Sequence, residues 1–229
     1  MHAVVLSGGL THDFPATTSC LLAELDSVGL NADVHTDVDA ALGALPGAAL
    51  LVVNALRWTM TGPEVPERYR AQADAQGASP SSEARAAFDA HLAAGGGVLA
   101  MHTAPICFDD WPAWADALGA RWVWGRSQHP PLGPPVDVEV CGEHEIVTGI
   151  GRFTIVDEVY GDLEFRRSVT PLLQAPQPDD DGRVMPLLWA REHGAARVVY
   201  DALGHHAPSY EVPEHAAIVR RAIAWTSRA

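Results

Sequence analysis

Three histidines and a glutamate stand where α/β proteins do chemistry. His102 follows Gly95-Gly96-Gly97-Val98-Leu99-Ala100-Met101, which reads as a glycine turn, a buried apolar strand and an abrupt polar residue. His205 follows Arg197-Val198-Val199-Tyr200-Asp201-Ala202-Leu203-Gly204 and repeats the form. His12 lies in Ser7-Gly8-Gly9-Leu10-Thr11-His12-Asp13, the loop after the first strand. In open parallel sheets ligands bind outside the carboxyl ends of the strands, so these histidines are expected to meet in one crevice. Neutral imidazole serves there as base, acid or metal ligand at pH 7. Asp157-Glu158-Val159-Tyr160 adds two carboxylates after an apolar run. Adjacent strand residues face opposite ways, so one of the pair enters the site, and Glu158 is favoured. A carboxylate beside two histidines completes a metal site or orients an imidazole. His102, His205 and Glu158 are therefore the expected catalytic groups, with His102 and His205 as ligands of a divalent metal such as zinc or manganese.

Weaker candidates reach in from loops. His129 sits in Ser127-Gln128-His129-Pro130-Pro131 and His144 in Gly142-Glu143-His144-Glu145. His12, His129 and His144 are assigned to substrate binding. Trp58, Trp111, Trp122, Trp124 and Trp189 are candidates for a stacking face, each with core packing as its plain alternative. His206 reads as a solvated neighbour of His205. His2, His35, His91, His193 and His215 are expected to be solvated. Cys107 follows His102 by five positions with no activating partner, so it reads as a structural thiol. HExxH, GxSxG and GxGxxG motifs are absent, and no nucleotide cofactor is expected.

The elements that must position these groups follow from periodicity. Strands are expected at His2 to Ser7, Asp33 to Thr36, Ala49 to Asn54 and Val98 to Met101, alternating with helices at Thr17 to Val28, Val38 to Leu45 and a Ser82-capped helix through Ala94. Asp110 is expected to cap a helix from Trp111 to Leu118, stopped by Gly119. This order implies a mainly parallel, doubly wound α/β sheet in three layers. The C-terminal half adds antiparallel strands at Val136 to Val140, Phe153 to Val156, Pro171 to Ala175, Met185 to Ala190 and Arg197 to Ala202. A turn is expected at Pro178 to Gly182, and Glu214 to Ser227 closes the chain as a helix. Arg57 to Ser82 is polar and reads as a surface insertion in one domain spanning 1–229.

Composition narrows the function. The 229 residues are 48% hydrophobic, enough for a sizeable core. The net charge of −14 argues against a nucleic-acid partner. All 15 basic residues are arginine, which excludes Schiff-base, pyridoxal-phosphate and P-loop lysines. Three cysteines without CxxC spacing form no disulfide or zinc framework. With no basic leader and no apolar run of about 18 residues, the expected location is the cytoplasm, away from membranes. A homodimer is the default oligomer.

Taken together these residues resemble the ThuA-like (trehalose utilisation) family of the class I glutamine amidotransferase-like superfamily. The resemblance runs through Leu6-Ser7-Gly8-Gly9 with Thr11-His12-Asp13, Gly97 to Ala104, His144 to Ile150 and Asp157 to Tyr160. It ends with Pro186-Leu187-Leu188-Trp189, Gly194 to Tyr200, Leu203-Gly204-His205 and a final helix ending Ala224-Trp225. It implies a flavodoxin-like fold. True amidotransferases carry a cysteine where this chain has His102, and His205 is the counterpart of their histidine, so glutamine hydrolysis is not expected. The family's association with disaccharides and their 3-keto derivatives implies a sugar or sugar derivative as partner, with Trp189 joining the substrate-binding set. An isomerase, lyase or hydrolase is the leading expectation. A non-catalytic sugar-binding or regulatory protein is the alternative.

Overall fold

The structure, a computed structural model, describes residues 1–178 and 182–229. The chain opens with β1 (His2–Gly9), α1 (Phe14–Ser27), β2 (Asn31–His35), α2 (Val38–Gly43) and β3 (Leu50–Leu56). Two four-residue helices, α3 (Glu67–Arg70) and α4 (Ala73–Gln76), precede α5 (Ser82–Ala93), β4 (Gly97–Met101), α6 (Pro112–Leu118) and β5 (Ala120–Arg121). The remainder is β6 (Val136–Val140), β7 (Phe153–Ile155), β8 (Glu164–Phe165), β9 (Pro171–Pro176), β10 (Val184–His193), β11 (Ala196–Asp201) and α7 (Pro213–Ser227).

The central sheet runs β2-β1-β3-β4-β11-β10-β9-β6-β7. The pairs from β2 to β11 are parallel, and those from β11 to β7 antiparallel. The parallel part has the strand order of flavodoxin-like sheets. Every residue of β3 is buried. Alternate strand residues point to opposite faces, so both faces of the sheet are covered there. α1 packs with α7, and α2 with α5. Burial of Leu6, Leu51, Val53, Leu99, Val199 and Ile223, all at 0% exposure, places the main core between sheet and helices.

Several boundaries differ from the sequence reading for local reasons. α1 begins three residues before Thr17, because the Asp13 carboxylate accepts a 3.1 Å hydrogen bond from Ala16 N. Ser81, rather than Ser82, caps α5 through Ala84 N. Asp110 caps nothing: its carboxylate accepts from Ser79 Oγ and Arg85 Nη2, and α6 starts at Pro112 without a side-chain cap. The stretch at 57–82 is not simply a polar surface. Trp58, Met60 and Val65 are buried, and Trp58 and Met60 join Phe14, Leu56, Ile106 and Tyr160 in a second apolar cluster. His91 and His215 are buried rather than solvated. The three aspartates of the turn expected at Pro178 to Gly182 lie outside the described residues. Among the described residues no helix is long and apolar enough to cross a membrane.

Candidate functional site

Parallel strands bring the first three histidines to one edge. His12 follows β1, His102 follows β4 directly, and His205 follows β11. Glu158 and Tyr160 arrive from the segment after β7, in the antiparallel half. His102 turns sharply off its strand at φ +38°, a left-handed conformation that costs a non-glycine residue energy. Its backbone is held on both sides: His102 N donates to Asp201 O at 2.6 Å and Tyr200 Oη donates to His102 O at 3.0 Å. Gly204 has φ +103°, and a Cβ there would meet Tyr210 Oη at 2.8 Å, so glycine is required one residue before His205.

The ring tautomers follow from fixed carbonyls. His102 Nδ1 donates to Ala202 O at 2.7 Å, leaving the Nε2 lone pair for the site. His12 Nδ1 faces Leu10 O at 3.3 Å, and its Nε2 is buried with no partner among the described residues. His102 Nε2 lies 3.2 Å from His205 Nδ1 and accepts from Tyr160 Oη at 3.2 Å. Glu158 Oε2 stands 3.4 Å from His102 Nε2 and 3.3 Å from His205 Nδ1, yet it receives no hydrogen bond among the described residues. Lone pairs of His102 Nε2 and Glu158 Oε2 facing each other repel unless a proton or cation lies between them. One ligand atom from each of His12, His102, Glu158 and His205 falls within 4.8 Å of the others. Two ligands of a tetrahedral zinc at the usual ~2.0–2.1 Å would be about 3.3 Å apart. The His102, His205 and Glu158 separations match that spacing, so these residues could hold a metal.

Electrostatics agree. Burial, reinforced by His102 and His205, lowers His12 to about 4, so its ring is neutral at pH 7. Burial works against ionised Glu158, but the imidazoles of His102, His129 and His205 around it outweigh burial and hold the carboxyl well below the usual range. His129 Nδ1 lies 3.3 Å from Glu158 Oε1. Burial opposes its charged form, yet Glu158 raises His129 above an ordinary histidine.

Behind the cluster Asp157 takes a role the sequence did not single out. Its Oδ1 accepts from Glu158 N at 2.8 Å and His205 N at 3.4 Å. Its Oδ2 accepts from Gly204 N at 2.8 Å and Ser209 Oγ at 2.6 Å. The carboxylate that faces away from the site thus fixes the two residues that enter it. His206 Nδ1 lies 3.0 Å from Ser209 Oγ, so His205 is the member of the pair that faces the cluster. Asp201 accepts from Leu203 N at 3.0 Å and pairs with buried His215 at 3.2 Å, which anchors the same loop from below.

Beside the cluster lies a cavity of about 230 Å³. Its lining includes His12, His129 and Tyr160 from the site, and Trp58, Tyr69, Trp122 and Trp124 as an aromatic wall. Of the five tryptophans considered for stacking, the structure brings Trp58, Trp122 and Trp124 here. Trp111 and Trp189 are core residues. Trp189 is fully buried, packs on Tyr200 and donates Nε1–H to Leu118 O at 2.9 Å, which corrects its assignment to substrate binding. His144 is likewise displaced: it packs on Trp225, near the C-terminus of α7, and its Nδ1 accepts from Ile146 N. Its loop follows β6 on the antiparallel side, and its partners place it away from the cluster. Cys107 is buried and pushed up to about 12 by burial, and its thiol donates to Ala55 O.

A ThuA-like protein from Parabacteroides merdae superposes with a TM-score of 0.78 at 17% identity, covering 99% of this chain and 90% of that one. A ThuA-like protein from Bacteroides uniformis gives 0.69 at 18% identity, covering 99% and 91%. A cytoplasmic protein from Salmonella typhimurium gives 0.62 at 12% identity, with 99% of both chains covered. At these identities the likeness is one of fold. A search of curated protein sequences found no match. The family model for trehalose utilisation matches residues 3–226, so the chain belongs to the ThuA family.

Proposed function

We propose that this protein is a carbohydrate-directed enzyme whose site is a divalent-metal centre held by His102, His205 and Glu158, with His12 as fourth ligand. The observation that carries the reading is the convergence of their ligand atoms within 4.8 Å, with Glu158 Oε2 and His12 Nε2 lacking hydrogen bonds among the described residues. The family's link to trehalose utilisation supports a sugar as substrate. The fold beneath it is read as a three-layer, doubly wound sheet, and the protein as cytoplasmic, like its Salmonella neighbour.

A bound divalent ion would supply Lewis-acid polarisation of a sugar carbonyl or hydroxyl. The chain's own groups do the rest. Ala202 O fixes the His102 tautomer, and Asp157 fixes the approach of His205 and Glu158. His129, lining the cavity with its Nδ1 3.3 Å from Glu158 Oε1, is placed to take a proton from the carbon beside a substrate carbonyl and return it to the carbonyl oxygen. Tyr160 Oη, beside His102, orients that oxygen. A keto-sugar has acidic protons next to its carbonyl, so enolisation, with His129 taking the proton from carbon and returning it for isomerisation or to a leaving hydroxyl for elimination, is the reaction class that such a set serves. The cysteine of an amidotransferase has no equivalent, since His102 occupies the strand-end turn and Cys107 is committed to Ala55 O.

The test is metal content of natively purified protein by mass spectrometry, beside a His102→Ala/His205→Ala double variant. Near-stoichiometric zinc or manganese, lost in the variant, is expected. Protein that stays metal-free even after reconstitution would overturn the metal centre.

A further inference from the structure

We propose that the aromatic cavity beside the histidine cluster is a subsite for a single sugar ring, so that the substrate is a monosaccharide derivative and any second ring stays outside. This rests on the reading of carbohydrate as substrate. It sets the size of that substrate.

Volume is the first argument. The cavity measures about 230 Å³. Pockets that enclose drug-sized ligands run from about 300 to 1,000 Å³. A disaccharide is a ligand of that size, and one pyranose has roughly half its bulk.

Rigidity is the second argument, because a small cavity limits substrate size only if its walls cannot move apart. The aromatic wall is braced against itself. Trp58 and Trp124 stack at 6.0 Å, with Tyr69 5.5 Å from Trp58 and 5.8 Å from Trp124. Trp122 stands edge-on to Trp124 at 5.9 Å and to Tyr160 at 5.3 Å. The segment that delivers Trp58 is tied down beside it. Trp58 O accepts from Ala78 N at 2.8 Å, and Thr59 N and Oγ1 both donate to the Asp109 carboxylate at 2.8 Å. Enlarging the cavity would break these contacts together.

The lining chemistry is the third argument. Aromatic faces take the C–H face of a pyranose and, with their negative quadrupole, disfavour an anion. Gln128 and Arg68 supply polar groups, with Arg68 exposed. His12, which belongs to both cavity and cluster, sets where the ring meets the reactive centre. A ring seated on the wall presents its edge to His12, His129 and Tyr160.

Tryptophan fluorescence titration of metal-supplemented protein with glucose and with trehalose tests this directly. Glucose and trehalose are expected to bind within about threefold of each other, because an unenclosed ring adds little affinity. Trp124→Ala should weaken both by at least about tenfold, and Trp124→Phe should restore most of the loss. Trehalose binding at least about tenfold tighter than glucose would overturn the one-ring subsite while leaving the carbohydrate reading intact. Unchanged glucose affinity in folded Trp124→Ala would also overturn it alone. Binding of neither sugar would overturn the carbohydrate reading and the subsite together.

Discussion

Asp157 Oδ2 and Gly204 N are joined by a 2.8 Å hydrogen bond that ties the segment after β7 to the segment after β11. The two segments carry Glu158 and His205. Asp157→Asn replaces an acceptor with an amide N–H₂ that faces existing donors. Zinc affinity should fall about 10–100-fold, the usual cost of losing an outer partner of metal ligands. Competition with a chromogenic chelator measures it. Wild-type affinity in the variant would remove Asp157 from the positioning role.

The buried Asp201–His215 pair predicts a pH dependence of stability. Burial opposes the charged ring, but the Asp201 charge and hydrogen bond outweigh it and raise His215 above its ordinary value. A histidine raised on folding stabilises fully below its unfolded pKa, about 6.5, and the contribution fades as pH climbs through the raised folded pKa. Removing one partner of a buried pair costs about 3–5 kcal/mol, so Asp201→Asn should be strongly destabilised at pH 6, and the stability gap between wild type and variant in urea denaturation should narrow by pH 8.5. A gap that stays the same at both pH values would rule the pair out as the source of this pH dependence.

Thiol reactivity should separate the cysteines. Cys107 is buried, pushed to about 12 and bonded to Ala55 O, whereas Cys141 is exposed. Iodoacetamide at pH 8 should label Cys141 in native protein and spare Cys107 until the chain unfolds. Peptide mass mapping reads this out. Rapid native labelling of Cys107 would reopen a thiol-based reaction.

His144 and Trp189 serve as controls. His144→Ala should leave metal and sugar binding unchanged, since its partners are Ile146 N and Trp225. Trp189→Ala should cost about 3–5 kcal/mol of stability through the cavity it leaves, with metal affinity retained in the folded fraction. Loss of metal in His144→Ala, or an unaltered melting point in Trp189→Ala, would contradict these placements.

What the sequence revealed depended on how local the signal was. His102 and His205 were legible because a glycine or apolar run announces each strand and the polar residue marks its end. Glu158 was legible as half of an ambiguous pair. Its neighbour Asp157 was not, because its partners Gly204 and Ser209 come from a distant segment. Trp189 and His144 were misplaced for the same reason: a strand tryptophan or a loop histidine has no local sign of which end of the sheet it joins. His215 did carry an unused signal. It shares a helical stripe with Ile218, Val219 and Ala222, all buried, and so belongs to the core face of α7. Part of the aromatic wall was hidden by the polar average of 57–82, from which Trp58 and Tyr69 join the cavity lining.

Strand β11 lies between β4 and β10, and so joins the parallel and antiparallel halves of the sheet. During synthesis the first half emerges long before residues 196–201. Until they arrive, β4 presents an open edge, and His102 has no Ala202 carbonyl to set its ring. The proposed centre can thus form only once residues 196–205 have joined the sheet. A partly made chain holds neither the ligand set nor a closed sheet, and the seam at β4 is where a stalled or truncated chain would stick to its neighbours.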